Sequence, residues 1–259
     1  MFERIKNAWI LFKTTLEFLK RDKSLLAVPI LLPFANLALL IVLGLLAFGL
    51  FLSGNQSQFA WFVFGVIAIF FSFLLNTFFG AAQSWMVYEV AKGKDTTLAS
   101  GVKRAMKNLA DILWFSLVMT AVRVITNLLR GRRKQGFDVG AMVRGALANM
   151  IEGFVGIIGK LVLPAMIVTE MSFREAVADL KRSSKTWPEI LAFEFGIGPL
   201  TGLVFFVALI VIGLFSFLLS AAIGFWAWVT FIIAMVIVSI ILGILSHFIE
   251  STYYTLLYI

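Results

Sequence analysis

The sequence predicts an all-α integral membrane protein with about six transmembrane helices. They pair as three hairpins, each preceded by a basic amphipathic helix at the membrane interface. Three observations predict this. Hydrophobic residues make up 61% of the 259 and charged residues 14%, against about 25% charged in soluble domains. Uncharged stretches long enough to cross a bilayer recur along the chain. Basic amphipathic segments stand between them. The mean hydropathy of +0.99 excludes a soluble globular domain and a disordered chain. The net charge of +8 comes with too much apolar sequence for a nucleic-acid-binding protein. With no cysteine, a disulfide scaffold and thiol chemistry are excluded as well.

A helix needs about 20 mostly apolar residues to span the hydrocarbon. Residues 25–52, 59–88 and 195–246 are free of charge, and the last stretch is long enough for two crossings. Irregular backbone cannot face lipid, so each stretch must be helical. The alternation of a membrane β-barrel is missing. The segment 53–58 (Ser-Gly-Asn-Gln-Ser-Gln) is polar and short, and forces an antiparallel hairpin. A second turn is expected near Gly224, where Phe225, Trp226 and Trp228 suit the headgroup level. The middle of the chain is weaker, because Asp111, Arg123, Lys160 and Glu170 interrupt it. We read spans at 25–52, 59–89, 109–129, 145–170, 197–222 and 225–249 within one membrane domain covering 1–259. The alternative is four crossings with a re-entrant middle hairpin.

The first amphipathic helix occupies 1–24. Its apolar residues Phe2, Ile5, Trp9, Phe12, Leu16 and Leu19 follow helical spacing, with Lys6, Lys13 and Lys20 among the rest. Apolar and charged residues interleave, unlike a signal peptide. The segments 96–108 and 172–187 repeat the pattern, with Lys103 and Arg104 in one and Lys181 and Arg182 in the other. Ser172 and Glu175 form an S-x-x-E capping box at the start of the third. Trp9, Lys13, Lys103, Arg104, Lys181 and Arg182 are the expected interfacial lipid contacts, and anionic lipids are the expected partners. Packing of these helices on their own bundle is an equal alternative.

The second and third helices align at a constant offset. Val102-Lys103-Arg104 matches Leu180-Lys181-Arg182, and Asp111-Ile112-Leu113 matches Glu189-Ile190-Leu191. Leu19-Lys20-Arg21 is a looser third copy. Three repeated units follow, unless basic, Leu-rich helix ends agree by chance. Most of the 22 Lys and Arg then fall on one side, read as cytoplasmic by the positive-inside rule, with both termini there. The cluster Arg130, Arg132, Arg133 and Lys134 goes against the rule in a six-span arrangement.

Ionisable residues inside spans are functional candidates. Arg123, Glu152 and Lys160 are the candidate polar path, with inter-helix salt bridges as the structural alternative. Arg123 is expected to pair with Glu152 or Glu170. Asp111, Glu170 and Glu194, near span ends, are expected to snorkel. Small residues at Ser216, Ser220, Gly224, Ser239 and Gly243 suit close helix packing, within the bundle or between copies. His247 and Glu250 share a helix face but offer too few ligands for a metal. Gly196-Ile197-Gly198 is no dinucleotide motif, and no P-loop or nucleophile elbow is present. Neither a cofactor nor an enzymatic activity is expected.

Certain segments carry a family resemblance. Ile5-Lys6-Asn7-Ala8-Trp9 with Leu11-Phe12 leads to Lys23-Ser24-Leu25-Leu26 and Pro29. Leu163-Pro164-Ala165 with Glu170 then leads to Glu175-Ala176 and the Lys181-Arg182-Ser183 run up to Trp187. This set resembles uncharacterised prokaryotic multi-pass membrane families related to the membrane domain of glycerophosphodiester phosphodiesterases. The resemblance implies a six-helix domain with interfacial helices in a prokaryotic inner membrane. It implies no activity, since the catalytic domain has no counterpart in this chain. The expected function is a non-enzymatic accessory or scaffold subunit that associates with other membrane proteins or with itself. A transporter or pore for a small solute or ion is the alternative, and lipid handling at the inner leaflet is a further one.

Overall fold

The computed structural model describes residues 2–54, 57–130, 139–182, 198–224 and 226–259. These residues form helices joined by short connections, with no strand among them. Helix α1 (Phe2–Arg21) leads through a 3₁₀ turn (Lys23–Leu26) into α2 (Ala27–Leu52). Then come α3 (Gln58–Ala91), the short α4 (Leu98–Lys107), α5 (Leu109–Arg130) and α6 (Val139–Thr169). The short α7 (Phe173–Arg182) precedes α8 (Gly198–Ile223) and α9 (Trp226–Tyr258). Among the described residues five helices are long and apolar enough to cross a membrane: Lys23–Leu52, Gln58–Ala91, Leu109–Arg130, Arg144–Thr169 and Trp228–Tyr258. In α8 the stretch Phe206–Leu218 is apolar but shorter.

The local signals explain the element boundaries. Asp22 caps the 3₁₀ turn by accepting from the Ser24 N–H at 2.8 Å. Thr97 caps α4, and Ser100 returns a bond to the Thr97 N–H, which closes a capping box. Ser172 and Glu175 close the box at α7 as their spacing predicts. Between α8 and α9, Gly224 adopts φ +56°, a left-handed conformation that costs a residue with a Cβ about 1–2 kcal/mol. The remainder of the third amphipathic segment, 183–187, lies outside the described residues, as does Glu194.

Helix α3 is the hub, packing against α1, α2, α4, α5, α6 and α9. Its 34 residues rise about 51 Å, well beyond a hydrocarbon core of about 30 Å. The surplus lies at its C-terminal end, where Ala81, Ala82, Met86, Val87 and Val90 are buried. Around them gather the beginnings of α2 and α5 (Val28, Ile112) and the ends of α6 and α9 (Ile167, Phe248). Helix α4 brings Ala105 to the same cluster, and α7 brings Ala176 to its neighbour. The opposite ends of the long helices expose Leu45, Phe48, Phe62, Leu218 and Ile233.

This polarity has a physical cause. Lipid tails are as apolar as leucine, so burying apolar side chains between helices in hydrocarbon gains little. Amphipathic helices at the water boundary do gain from hiding an apolar face. The dense core therefore forms where α1, α4 and α7 sit. Helix α9 shows the same effect. Hydropathy alone ends it near residue 249, yet it continues to Tyr258, with Thr252, Tyr253, Tyr254 and Thr255 fully buried.

Gly101 of α4 sets the closest approach in this core. A Cβ placed there lies 2.7 Å from the Ala82 carbonyl oxygen and 2.9 Å from Met86. Gly101→Val must push α4 away from α3, at a cost of about 1–3 kcal/mol. Thermal unfolding of the purified chain in mild detergent checks this, and an unchanged midpoint would contradict the packing.

Candidate functional site

Two groups of polar side chains organise the bundle: clasps at the dense end, and ion pairs between the long helices. The central clasp is Arg104, buried on α4. Its Nε and Nη2 donate to the Ile167 carbonyl at 3.0 and 2.7 Å. Its Nη1 donates to Glu170, and its guanidinium lies 4.3 Å from the centre of the Trp85 ring. Ile167 is in the last turn of α6, where carbonyls have no partner within the helix and the helix dipole attracts a cation. A planar guanidinium suits this task, bonding a carbonyl and a carboxylate while stacking on a ring. Lys107 adds a bond to Glu170 at 3.1 Å. Glu170 takes φ +59°, a left-handed residue just past the end of the helix.

Further clasps tie the starts of α4 and α7 to residues earlier in the chain. The Asp22 carboxylate accepts from the Thr96 N–H at 3.2 Å, and the Ser24 hydroxyl donates to the Thr96 carbonyl at 3.0 Å. Thr96 and Ser100 hydroxyls both donate to Glu89, at 2.7 and 2.6 Å. At the start of α7, Asp111 accepts from the Phe173 N–H at 3.3 Å. In both places a carboxylate just after one amphipathic helix receives a backbone N–H from the start of the next.

The middle of the bundle holds the charges expected to form a path. Arg123 of α5 pairs with Glu152 of α6, and Arg130 joins the same carboxylate. Arg130 also donates to Asn149 at 2.8 Å. Lys160 turns elsewhere, to Glu250 of α9, with Nζ–Oε1 at 2.6 Å. The expected trio is thus divided between two ion pairs. In sequence Glu250 stands beside His247 on one helix face, and only the packing of α6 against α9 brings Lys160 to it.

Lys160 and Glu250 line a cavity of about 360 Å³ between α3, α5, α6 and α9, together with Asn76, Thr77 and Ser84. His247 also lines it, and its Nε2 is buried without a hydrogen-bond partner. A second cavity, of about 770 Å³, lies between α2 and α3, with Arg123 on its wall.

Other expectations are corrected by the geometry. Arg104 is no lipid contact: the orphan Ile167 carbonyl and Glu170 draw it into protein, where it is 7% exposed. Glu170, exposed at the end of α6, accepts from Arg104 and Lys107, and Asp111 accepts from the α7 amide. Gly224 packs no helix; it supplies the turn, and nothing lies within 4 Å of a Cβ placed there. Ser216 is buried. Ser239 and Gly243 of α9 face open space, with Ser239 bonded to its own helix at Met235. Lys13 and Lys103 are exposed. The side chains of Trp9, Lys181, Arg182 and Ser220 lie outside the described residues. Among the described residues no group of three metal-ligating side chains occurs.

Fold and site together define an all-helical membrane protein, braced by polar clasps at one end and holding a charged cavity among its long helices. Residues 55–259 match a family of unknown function (DUF6159), and the chain belongs to that family. No curated protein and no solved structure matches it. Nothing in these comparisons connects the family to the membrane domain of glycerophosphodiester phosphodiesterases.

The clasp makes a stability prediction. Hydrogen bonds from Arg104 and Lys107 hold the Glu170 carboxyl below the usual glutamate range. Burial opposes ionisation of Asp22, but bonds from Ser24 and Thr96 outweigh it and leave its pKa lowered as well. Both carboxyls therefore stabilise the fold fully above the ordinary carboxylate range. That stabilisation is lost as pH falls through the depressed values. The thermal midpoint in detergent should be flat near neutrality and fall only in acid, and Glu170→Gln should lower the neutral midpoint and flatten the acid limb. Arg104→Ala should cost about 1.5–3 kcal/mol through the Ile167 carbonyl alone, and Arg104→Lys should recover only part of it. Full recovery by lysine would show that the planar geometry is immaterial.

Proposed function

We propose that this protein is a non-enzymatic accessory or scaffold subunit of a membrane, associating laterally with other membrane proteins or with copies of itself. The carrying observation is on α9. Ser239 and Gly243, small residues at a spacing that favours close helix approach, lie on a face with open space around them. The broad apolar flanks at the loose end, including Leu45, Phe48 and Leu218, extend this surface. Meanwhile Arg123 and Arg130 both pair with Glu152, as structural salt bridges between helices do.

The topology we propose has six crossings in three hairpins, with α8 as the crossing beyond the five long apolar helices. The contacts of α2 with α3, α5 with α6 and α8 with α9 support it. The basic helices then lie on the cytoplasmic side of a prokaryotic inner membrane, with both termini beside them. Lys13 and Lys103, both exposed, would meet anionic lipid there. The likeness to phosphodiesterase membrane domains remains a proposal of ancestry and brings no catalytic residue.

A second reading, transport of a small solute or ion, is favoured by one observation: the Lys160–Glu250 pair lines a cavity among the long helices. Two measurements decide. Gly243→Leu has room for its side chain, so the fold should persist while co-purification or oligomerisation in mild detergent falls. A native chain that is strictly monomeric and partner-free would overturn the scaffold reading. Flux of a solute that Lys160→Met abolishes would establish the second. For topology, Lys103→Cys and Phe225→Cys should react with an impermeant maleimide from opposite faces of intact cells, and labelling from one face would end the six-crossing arrangement.

A further inference from the structure

We infer that the two adjoining cavities form one binding site for an amphiphile with a zwitterionic headgroup, a phosphate ester carrying an ammonium, as in a phosphoethanolamine lipid. The cavities share Phe73 and Asn76 of α3 as walls, so they meet there. Their volumes, about 360 and 770 Å³, fall within the range of roughly 300–1,000 Å³ typical of small-molecule sites. They differ in chemistry as the two ends of an amphiphile do.

The larger cavity is lined by Leu40, Leu43, Gly44, Ala47 and Ala68, with Phe64 among the bulkier residues. Small residues on the facing sides of α2 and α3 leave a slot between the helices. Its walls are aliphatic and aromatic over most of their extent, which suits an acyl chain. The smaller cavity presents both signs of charge side by side. Lys160 Nζ and Glu250 Oε1 are 2.6 Å apart, and each side chain is about one-third exposed, at 35% and 38%, so both ions are reachable from the cavity. Lys160 is steered by the Tyr254 ring, 5.4 Å from Nζ. His247 Nε2, buried on the same wall, has no hydrogen-bond partner in the protein.

A buried polar atom left unpaired costs free energy, and a ligand that pairs it regains that cost. A phosphate accepts from Lys160 and engages His247 through its ring N–H, while the ammonium donates to Glu250. A headgroup of one sign would satisfy one ion and face the other with like charge. The complementarity therefore selects a zwitterion over an anion. Scaffold or transporter, the protein would hold this lipid between its long helices, where it completes the packing of the loose end.

The purified full-length chain, in a non-ionic detergent, is offered equal amounts of phosphatidylethanolamine and phosphatidylglycerol with identical acyl chains. Bound lipid is counted by native mass spectrometry. The native chain should retain the zwitterion in about tenfold excess, the scale of one charge-assisted hydrogen bond. The Lys160→Met, Glu250→Met double variant removes both charges together and should erase the preference. Gly44→Leu and Gly156→Leu have open space for the new side chain and should reduce retention of both lipids, the first through the chain slot and the second through the head cavity. Equal retention of the two lipids by the native chain overturns the inference. So does a preference that survives the double variant, or retention unaffected by both glycine variants.

Discussion

Arg104 is the constraint on which the remaining architecture depends. Its guanidinium lies against Trp85 of α3 and reaches the orphan carbonyl of Ile167 and the carboxylate of Glu170 at the end of α6. One side chain thus joins three helices: its own α4, the hub α3 and the descending α6. Removing a cation of this kind from water is costly unless its bonds are complete. These bonds form only when the end of α6 lies within reach of Arg104 on α4. The charge therefore registers the helices along their length, which apolar contact alone, being non-directional, does not do.

Two of the clasps are alike. Asp22 to Thr96 and Asp111 to Phe173 perform the same operation at the starts of α4 and α7. Each carboxylate anchors the start of an amphipathic helix, where unpaired N–H groups and the positive end of the helix dipole favour an anion. The sequence likeness relates the second and third segments, whereas the carboxylate contacts link the first segment to the second and the second to the third.

Much of the fold was legible because bilayer chemistry leaves few choices. Uncharged stretches of this length must be helical, and basic amphipathic segments must lie near the boundary. The turn near Gly224 could be read from its flanking aromatics. What could not be read was who pairs with whom. Lys160 stands with Arg123 and Glu152 in the candidate path, but its partner Glu250 is distant in sequence and belongs to α9. Arg104 reads as a surface cation by its position among lysines; only the three-dimensional arrival of Ile167 and Trp85 makes it a buried one. The end of α9 is hidden from sequence for a related reason. Its threonines and tyrosines lower the hydropathy, yet they are buried against neighbours that no local window contains.

The concentration of packing at one end has a mechanical consequence. Ties among α1, α4, α7 and the adjacent helix ends hold that end like the rivet of a fan. Toward the far tips α2 exposes Leu45, Phe48 and Phe51, with little to brace it sideways. Changes in lateral pressure or thickness of the surrounding bilayer act on those blades with the longest lever arm, so strain in the membrane would spread or gather the tips while the riveted end keeps its shape.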